Sequence, residues 1–325
     1  MNARRYVVLF LMIVWGSMAA VWGLTWLLPG ERYMDGEYGY WMQQKAATRE
    51  KREGQEILLL GDSRVKMGIR AGAFAENAYN LSLGGVSPIE MYVTLRDYLT
   101  CHEAPQAVII AFAPIHYQED SVYEKYTLYF HYLDQHDVNE VNQRWLAFDG
   151  QDFIKASWLY VCRLPVIYMK PVLCSLWNPK TAENRDILQK ATAEKGRMFG
   201  RDDRRQEKVL APEVSEQHFV PMKTLDYYMG ELLTLCTSRG IPVYVEQLPM
   251  GNPGREKLEA SGYLDEYRSY MQSFADRYGV EVETEIPLYP VDEFQDDSHL
   301  NNVGAERFTA ELRAKYEEKL QLDDG

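Results

Sequence analysis

The chain is short of positive charge and has no metal-binding spacing. Lysine and arginine total 35 against 48 acidic residues, a formal net charge of −13. Such a surface does not attract the phosphate backbone of DNA or RNA, which calls for a basic face. It also argues against a strongly polyanionic substrate. The six histidines form no cluster with metal-ligand spacing, and Cys101, Cys162, Cys174 and Cys236 contain no CxxC pair. No metal or organic cofactor is implied. Four cysteines outside the cytoplasm permit disulfides, with Cys162 and Cys174 the nearest pair, and equally permit free buried thiols. Internal repeats and low-complexity tracts are missing, which excludes solenoids and disordered linkers as the main architecture.

What is present first is one long apolar run. Arg4 and Arg5 precede an uncharged stretch from Tyr6 to Leu28. At about 1.5 Å rise per residue it is long enough to cross a bilayer core of roughly 30 Å. Trp15, Trp22 and Trp26 lie in or near its ends, as interfacial anchors do. Positive charge before the span predicts a cytoplasmic N-terminus and an extracytoplasmic remainder. Ser17-Met18-Ala19 resembles a signal-peptide cleavage site, but apolar residues continue to Leu28, so an uncleaved single-pass anchor over 1–30 is the favoured reading. A polar, charged stretch over 31–55 then reads as a stalk with some helix.

From residue 56 the pattern becomes α/β. Ile57 to Leu60 is a short apolar run ending at Gly61, which predicts a buried strand. Ala78–Leu81 and Ala107–Ala113 read the same way. Ser87-Pro88-Ile89-Glu90 carries a capping box with proline in the first turn, so a helix begins there. Later, Leu225–Ser238 reads as a helix, Ile241–Val245 as a strand, Tyr263–Tyr278 as a helix stopped by Gly279, Val280–Ile286 as a strand and Val303–Leu320 as a final helix. Alternating strands and helices predict a mainly parallel sheet covered by helices.

This rhythm is lost between about 122 and 222, which predicts an inserted, mostly helical or irregular subdomain in a domain covering 56–325. Asp152–Trp177 is rich in aromatic and aliphatic residues. They either pack on the sheet or dock on a membrane or a membrane partner. Pro165 and Pro171 predict breaks in any long helix there, arguing against a second span. Lys180–Lys208 is highly charged and predicts a solvated segment.

Three elements carry chemistry. Gly61-Asp62-Ser63-Arg64 directly follows a strand, and parallel α/β sheets place their sites at strand carboxyl ends. Asp296-Asp297-Ser298-His299-Leu300-Asn301 precedes the final helix. A histidine activates a serine only when a carboxylate fixes its tautomer. Asp296 has the spacing to reach His299, with Asp297 as the nearby rival. Asn80-Leu81-Ser82-Leu83-Gly84-Gly85 follows the second strand, and its glycines let backbone N–H groups approach an oxyanion, Gly85 being the better placed. Each element alone is also an ordinary turn or helix cap.

In order, strand-GDSR, Asn-x-x-x-x-Gly and a late Asp-x-x-His-Leu-Asn resemble the SGNH (GDSL-like) hydrolase superfamily over roughly 55–120 and 220–320. The resemblance implies a flavodoxin-like three-layer α/β/α sandwich. It implies Ser63 as nucleophile, His299 as base, Asp296 as orienting carboxylate, and an oxyanion hole from the Ser63 and Gly85 amides. One departure stands out. The family's Gly-x-Asn-Asp block is missing after the third strand, where the chain reads Ala111-Phe112-Ala113-Pro114-Ile115-His116. Losing one oxyanion donor costs on the order of 10²–10³ in rate. Either His116 or a backbone amide substitutes, or activity is modest, or the fold is reused.

The single span, GDSR, and SHLN followed by Gly304-Ala305 look like the membrane-tethered DltD-like and AlgJ/AlgX-like proteins of surface-polymer modification. That likeness implies O-acyl transfer, O-acetyl above all, onto a cell-surface or secreted polysaccharide, with a membrane-bound O-acyltransferase partner supplying the acyl group. Arg64, His116 and Tyr117 are candidate substrate contacts. Tyr123, Tyr126, Tyr129, Phe130 and Tyr132 either stack on sugar rings or simply pack. A carbohydrate or lipid esterase (deacetylase) using the same triad, and a non-catalytic polysaccharide-binding scaffold, are the competing expectations.

Overall fold

The computed structural model describes residues 3–50, 56–198, 218–252 and 254–322. Its helices, in chain order, begin with α1 (Ala3–Leu27), α2 (Gly30–Tyr33) and α3 (Gly36–Ala47), followed by α4 (Ser63–Gly68), α5 (Ala71–Phe74) and α6 (Pro88–Cys101). Then come α7 (Gln135–Arg144), α8 (Ile154–Val161), α9 (Pro165–Trp177) and α10 (Thr181–Ala193). The last four are α11 (Lys223–Thr237), α12 (Gly254–Ser261), α13 (Tyr263–Tyr278) and α14 (Asn302–Leu320). The strands are β1 (Ile57–Gly61), β2 (Ala78–Asn80), β3 (Ala107–Ala111), β4 (Val243–Glu246), β5 (Met250–Gly251), β6 (Glu281–Val282) and β7 (Leu288–Tyr289).

Two compact units divide the chain. The first holds 1–42 and 123–188, the second 43–122 and 189–325.

In the second unit a five-stranded sheet has the order β2-β1-β3-β4-β6, every pairing parallel. β5 and β7 form a separate parallel pair. β1 is an interior strand between β2 and β3 and apolar on both faces, since both faces of a parallel sheet are covered. Its Ile57, Leu58, Leu59 and Leu60 are fully buried. Each such side chain contributes roughly 1.5–3 kcal/mol, an upper estimate. Ile57, Leu59 and Ile109 share a core with Phe74, Phe308, Leu312 and Tyr316, so α4, α5 and α14 lie on that side. α6 and α11 pack on each other and against β1 and β4.

The capping box forms as its sequence predicts: the Ser87 hydroxyl accepts from Ile89 N, and the Glu90 carboxylate accepts from Ser87 N. α13 has the predicted bounds and ends at Gly279, whose φ of 65° suits glycine. The strand expected over 280–286 is shorter. Only Glu281 and Val282 pair, because the Glu283 carboxylate accepts the N–H groups of Thr284 and Glu285, turning the chain before Pro287.

The stretch expected to be a stalk with some helix is helical over α2 and α3, and its part up to Met42 packs within the first unit. Tyr33, Met34, Tyr40 and Trp41 are buried, and such bulky side chains require a packed environment. The Trp41 ring meets those of Tyr126, Phe130 and Tyr132. Asn184 holds the start of this segment, accepting from Gly39 N at 3.0 Å and donating to Glu31 O at 2.8 Å. The expected subdomain therefore begins where the first unit resumes, at residue 123, but that unit also recruits 1–42 and stops at 188. The charged segment after Lys180 is helical as far as Ala193, and its 199–208 portion lies outside the described residues.

Candidate active site

β1 leaves the sheet at Gly61 with no room for a side chain: a Cβ there would lie 2.0 Å from Ala111 O. Asp62 caps α4, its Oδ1 accepting from Arg64 N at 2.8 Å. Its Oδ2 accepts from Ala113 N at 2.6 Å, tying the exits of β1 and β3 together. Ser63 is thereby fixed as the first residue of α4, where helix N–H groups have no intrahelical acceptor.

The second half of the site is a loop pinned at both ends. Phe294 pairs antiparallel with Leu300, Gln295 N donates to His299 O, and Leu300 is buried in the sheet core. Asn301 caps α14, accepting from Val303 N and Gly304 N while donating to Asp292 O. A side chain at Gly304 would strike Glu293 O at 2.4 Å, so glycine is required for the close approach.

These constraints bring Ser63, His299 and Asp296 together. His299 Nε2 lies 2.8 Å from Ser63 Oγ. His299 Nδ1 lies 2.9 and 3.0 Å from the two Asp296 carboxylate oxygens. Asp296 Oδ1 also accepts the backbone N–H groups of Ser298 and His299, at 3.0 and 2.8 Å. Asp296 rather than Asp297 is therefore the partner of His299. Its environment assigns the proton: an anionic Asp296 accepts from Nδ1–H and leaves Nε2 free to take the Ser63 proton. Burial alone would raise the Asp296 pKa. The His299 hydrogen bond and charge, together with the two backbone donors, outweigh that and hold it at about 2.

Gly85 lies in the loop after β2, at a φ of 71°. A Cβ there would come within 2.8 Å of Val122 Cγ1. Leu81 N and Leu83 N donate to Leu59 O and Gly61 O, so this loop follows β1 toward the serine. No acceptor for the Gly85 N–H occurs among the described residues. Asn80 is a clamp: its amide donates to Val65 O and Ile69 O, and its carbonyl accepts from Ser82 N.

Two expected substrate contacts are corrected. Arg64 is 6% exposed, and its guanidinium turns inward to the carbonyl of Pro249, so it presents no charge to a ligand. Tyr117 is fully buried among Phe112, Tyr267, Tyr270 and Phe274, where its ring completes the core. Of the aromatics weighed as sugar platforms, Tyr123, Phe130 and Tyr132 are also buried, while Tyr126 and Tyr129 are half-buried. His116 stays at the site: its Nε2 is 3.4 Å from Asp62 Oδ2. Burial pushes the His116 imidazole below its usual pKa, with Asp62 pulling the other way.

Sequence reasoning missed the part played by Asp62. A carboxylate between a glycine and a serine reads as turn chemistry, and only the juxtaposition of β1 and β3 reveals its second partner. All four cysteines are free thiols. Compared with protein-family models, with curated proteins and with solved structures, the chain finds no match.

Proposed function

We propose that the chain is a serine-dependent O-acyltransferase of the SGNH class, acting outside the cytoplasm on a cell-surface or secreted polysaccharide. The observation that carries this reading is the continuous hydrogen-bonded set Ser63–His299–Asp296 at the carboxyl end of a parallel sheet. The strand order and the helices against both faces support the flavodoxin-like three-layer arrangement the class implies.

In the proposed cycle, His299 Nε2 takes the Ser63 proton as Oγ attacks an acyl carbonyl. The Ser63 and Gly85 amides hold the resulting oxyanion, and His299 returns the proton to the leaving group. A sugar hydroxyl then gives its proton to His299 and attacks the acyl-serine ester. The acyl group passes to the sugar and serine is restored. A membrane-bound O-acyltransferase partner as acyl source fits a domain tethered by α1, a helix apolar and long enough to cross a membrane, with Arg4 and Arg5 before it favouring an extracytoplasmic remainder.

A specific observation favours a second reading, simple ester hydrolysis. The Asp296 side chain is 51% exposed and that of His299 22%, so water reaches the site unless a substrate covers it. The test is acyl release from p-nitrophenyl acetate by the full chain in detergent, beside Ser63→Ala, with and without oligosaccharide acceptors. Acyl transfer exceeding hydrolysis supports the transferase. Hydrolysis unaffected by acceptors supports the esterase. Equal inertness of both proteins, together with no fluorophosphonate labelling of Ser63, refutes the catalytic reading and leaves a polysaccharide-binding scaffold.

A further inference from the structure

α8 and α9 present an apolar surface that the first unit leaves uncovered. Trp158, Val166 and Trp177 are 65, 72 and 82% exposed, and Ile154, Met169 and Leu176 add to the same two helices. Single exposed apolar residues need no explanation, but a concentration of this kind on one helical pair marks an interaction surface.

Its charge is unlike that of the rest of the chain. Between Phe153 and Trp177 the only ionisable side chains of fixed sign are Lys155, Arg163 and Lys170, all basic, in a protein whose formal net charge is −13. Apolar and aromatic residues with basic ones and no acid are the composition of helices lying at an anionic lipid surface.

The pair is also continuous with α1. The helices are joined by a tight turn at Arg163, whose φ is 49°. That turn is fastened to the end of the span: Trp22 Nε1 donates to Cys162 O at 3.0 Å, and Arg163 Nη1 donates to Thr25 O at 2.7 Å. The Arg163 guanidinium lies 4.8 Å from the centre of the Trp26 ring, and α9 is in contact with α1. The break therefore falls at Arg163, and Pro165 opens the next helix. Pro171, expected to interrupt the segment, lies inside α9.

We infer that α8 and α9 form a monotopic helical pair in the headgroup and upper acyl region of an anionic bilayer, beside the end of α1. The inference rests on α1 entering the membrane and is independent of the acyl chemistry. The pair would fix the approach of the first unit to the bilayer, which a single flexible tether does not.

The test uses the full chain in nanodiscs containing phosphatidylglycerol, with Cys101, Cys162 and Cys174 changed to serine. An environment-sensitive fluorophore is placed at Val166→Cys, at Met12→Cys within α1, and at Leu288→Cys as a solvent-facing reference. Circular dichroism checks that each variant folds. The expected result at position 166 is blue-shifted emission, quenching by lipids carrying a spin label near the headgroup, and loss of quenching by aqueous iodide. Quenching by iodide at 166 equal to that at 288, with position 12 deep in the bilayer, overturns the inference while leaving the span intact. Strongest quenching at 166 by mid-bilayer spin labels also overturns it, because the pair would then cross rather than lie at the surface.

Discussion

The two units use apolar residues in opposite ways. In the second, Ile57, Leu59, Ile109 and Phe308 are sealed inside, and the polar residues that remain buried, such as Asp62 and Asn80, each fix a loop at the sheet's carboxyl end. In the first, aromatic rings cluster around Trp41, while Trp158, Val166 and Trp177 face outward. One unit is thus self-sufficient in its burial and holds the reactive groups. The other leaves part of its apolar surface exposed, the surface inferred above to meet a bilayer. The proposed chemistry and the proposed location thus rest on separate sets of residues, which mutation can separate.

The largest effect expected is that of Ser63→Ala. Removing a triad nucleophile lowers kcat by on the order of 10⁶-fold, while the melting temperature and membrane association stay as in the wild type. Steady-state acyl release and liposome flotation check the two halves. Asp296→Asn should follow at about 10⁴-fold, since an amide that donates to Nδ1 stabilises the unproductive tautomer of His299. The same assay reads it, and a loss below tenfold would remove Asp296 from the orienting role.

Leu59→Ala attacks the sealed unit instead. A buried leucine truncated to alanine costs about 2–5 kcal/mol, to be read as an earlier denaturation midpoint in detergent. Trp158→Ala, on an exposed face, should change stability by less than about 0.5 kcal/mol yet weaken binding to anionic vesicles. A large loss of stability at Trp158 would break the contrast between the units.

The smallest effect concerns pH. His116 has a depressed folded-state pKa, so the unfolded chain binds its proton more readily. Stability is then full above the ordinary histidine value of about 6.5 and declines as pH falls below it. His116→Asn should flatten that decline between about pH 6.5 and 5, measured as melting temperature against pH. An unchanged slope would assign the decline to other groups.

Much of the second unit was readable in the sequence because a strand buried on both faces is a continuous apolar run, as at β1 and β3. The contact of Asp296 with His299 was readable because an aspartate three residues before a histidine is a local geometry, and the loop from Asp296 to His299 adopts it. The inward turn of Arg64 was not legible, since its acceptor, the Pro249 carbonyl, is 185 residues distant in sequence. Nor was the packing of α3: Trp41 sits in a polar stretch, and its ring partners Tyr126 and Phe130 belong to a distant part of the chain. Local pattern reveals which residues are buried or capped, whereas side-chain partners across the fold depend on topology.

The separation between Ser63 and His299, 236 positions along the chain, has a consequence in time. Ribosomes add about 5–20 residues per second, so the serine is made on the order of tens of seconds before its base. Throughout that interval Ser63 is an ordinary alcohol. On the proposed mechanism, the nucleophile is armed only when the loop before α14 closes onto the sheet.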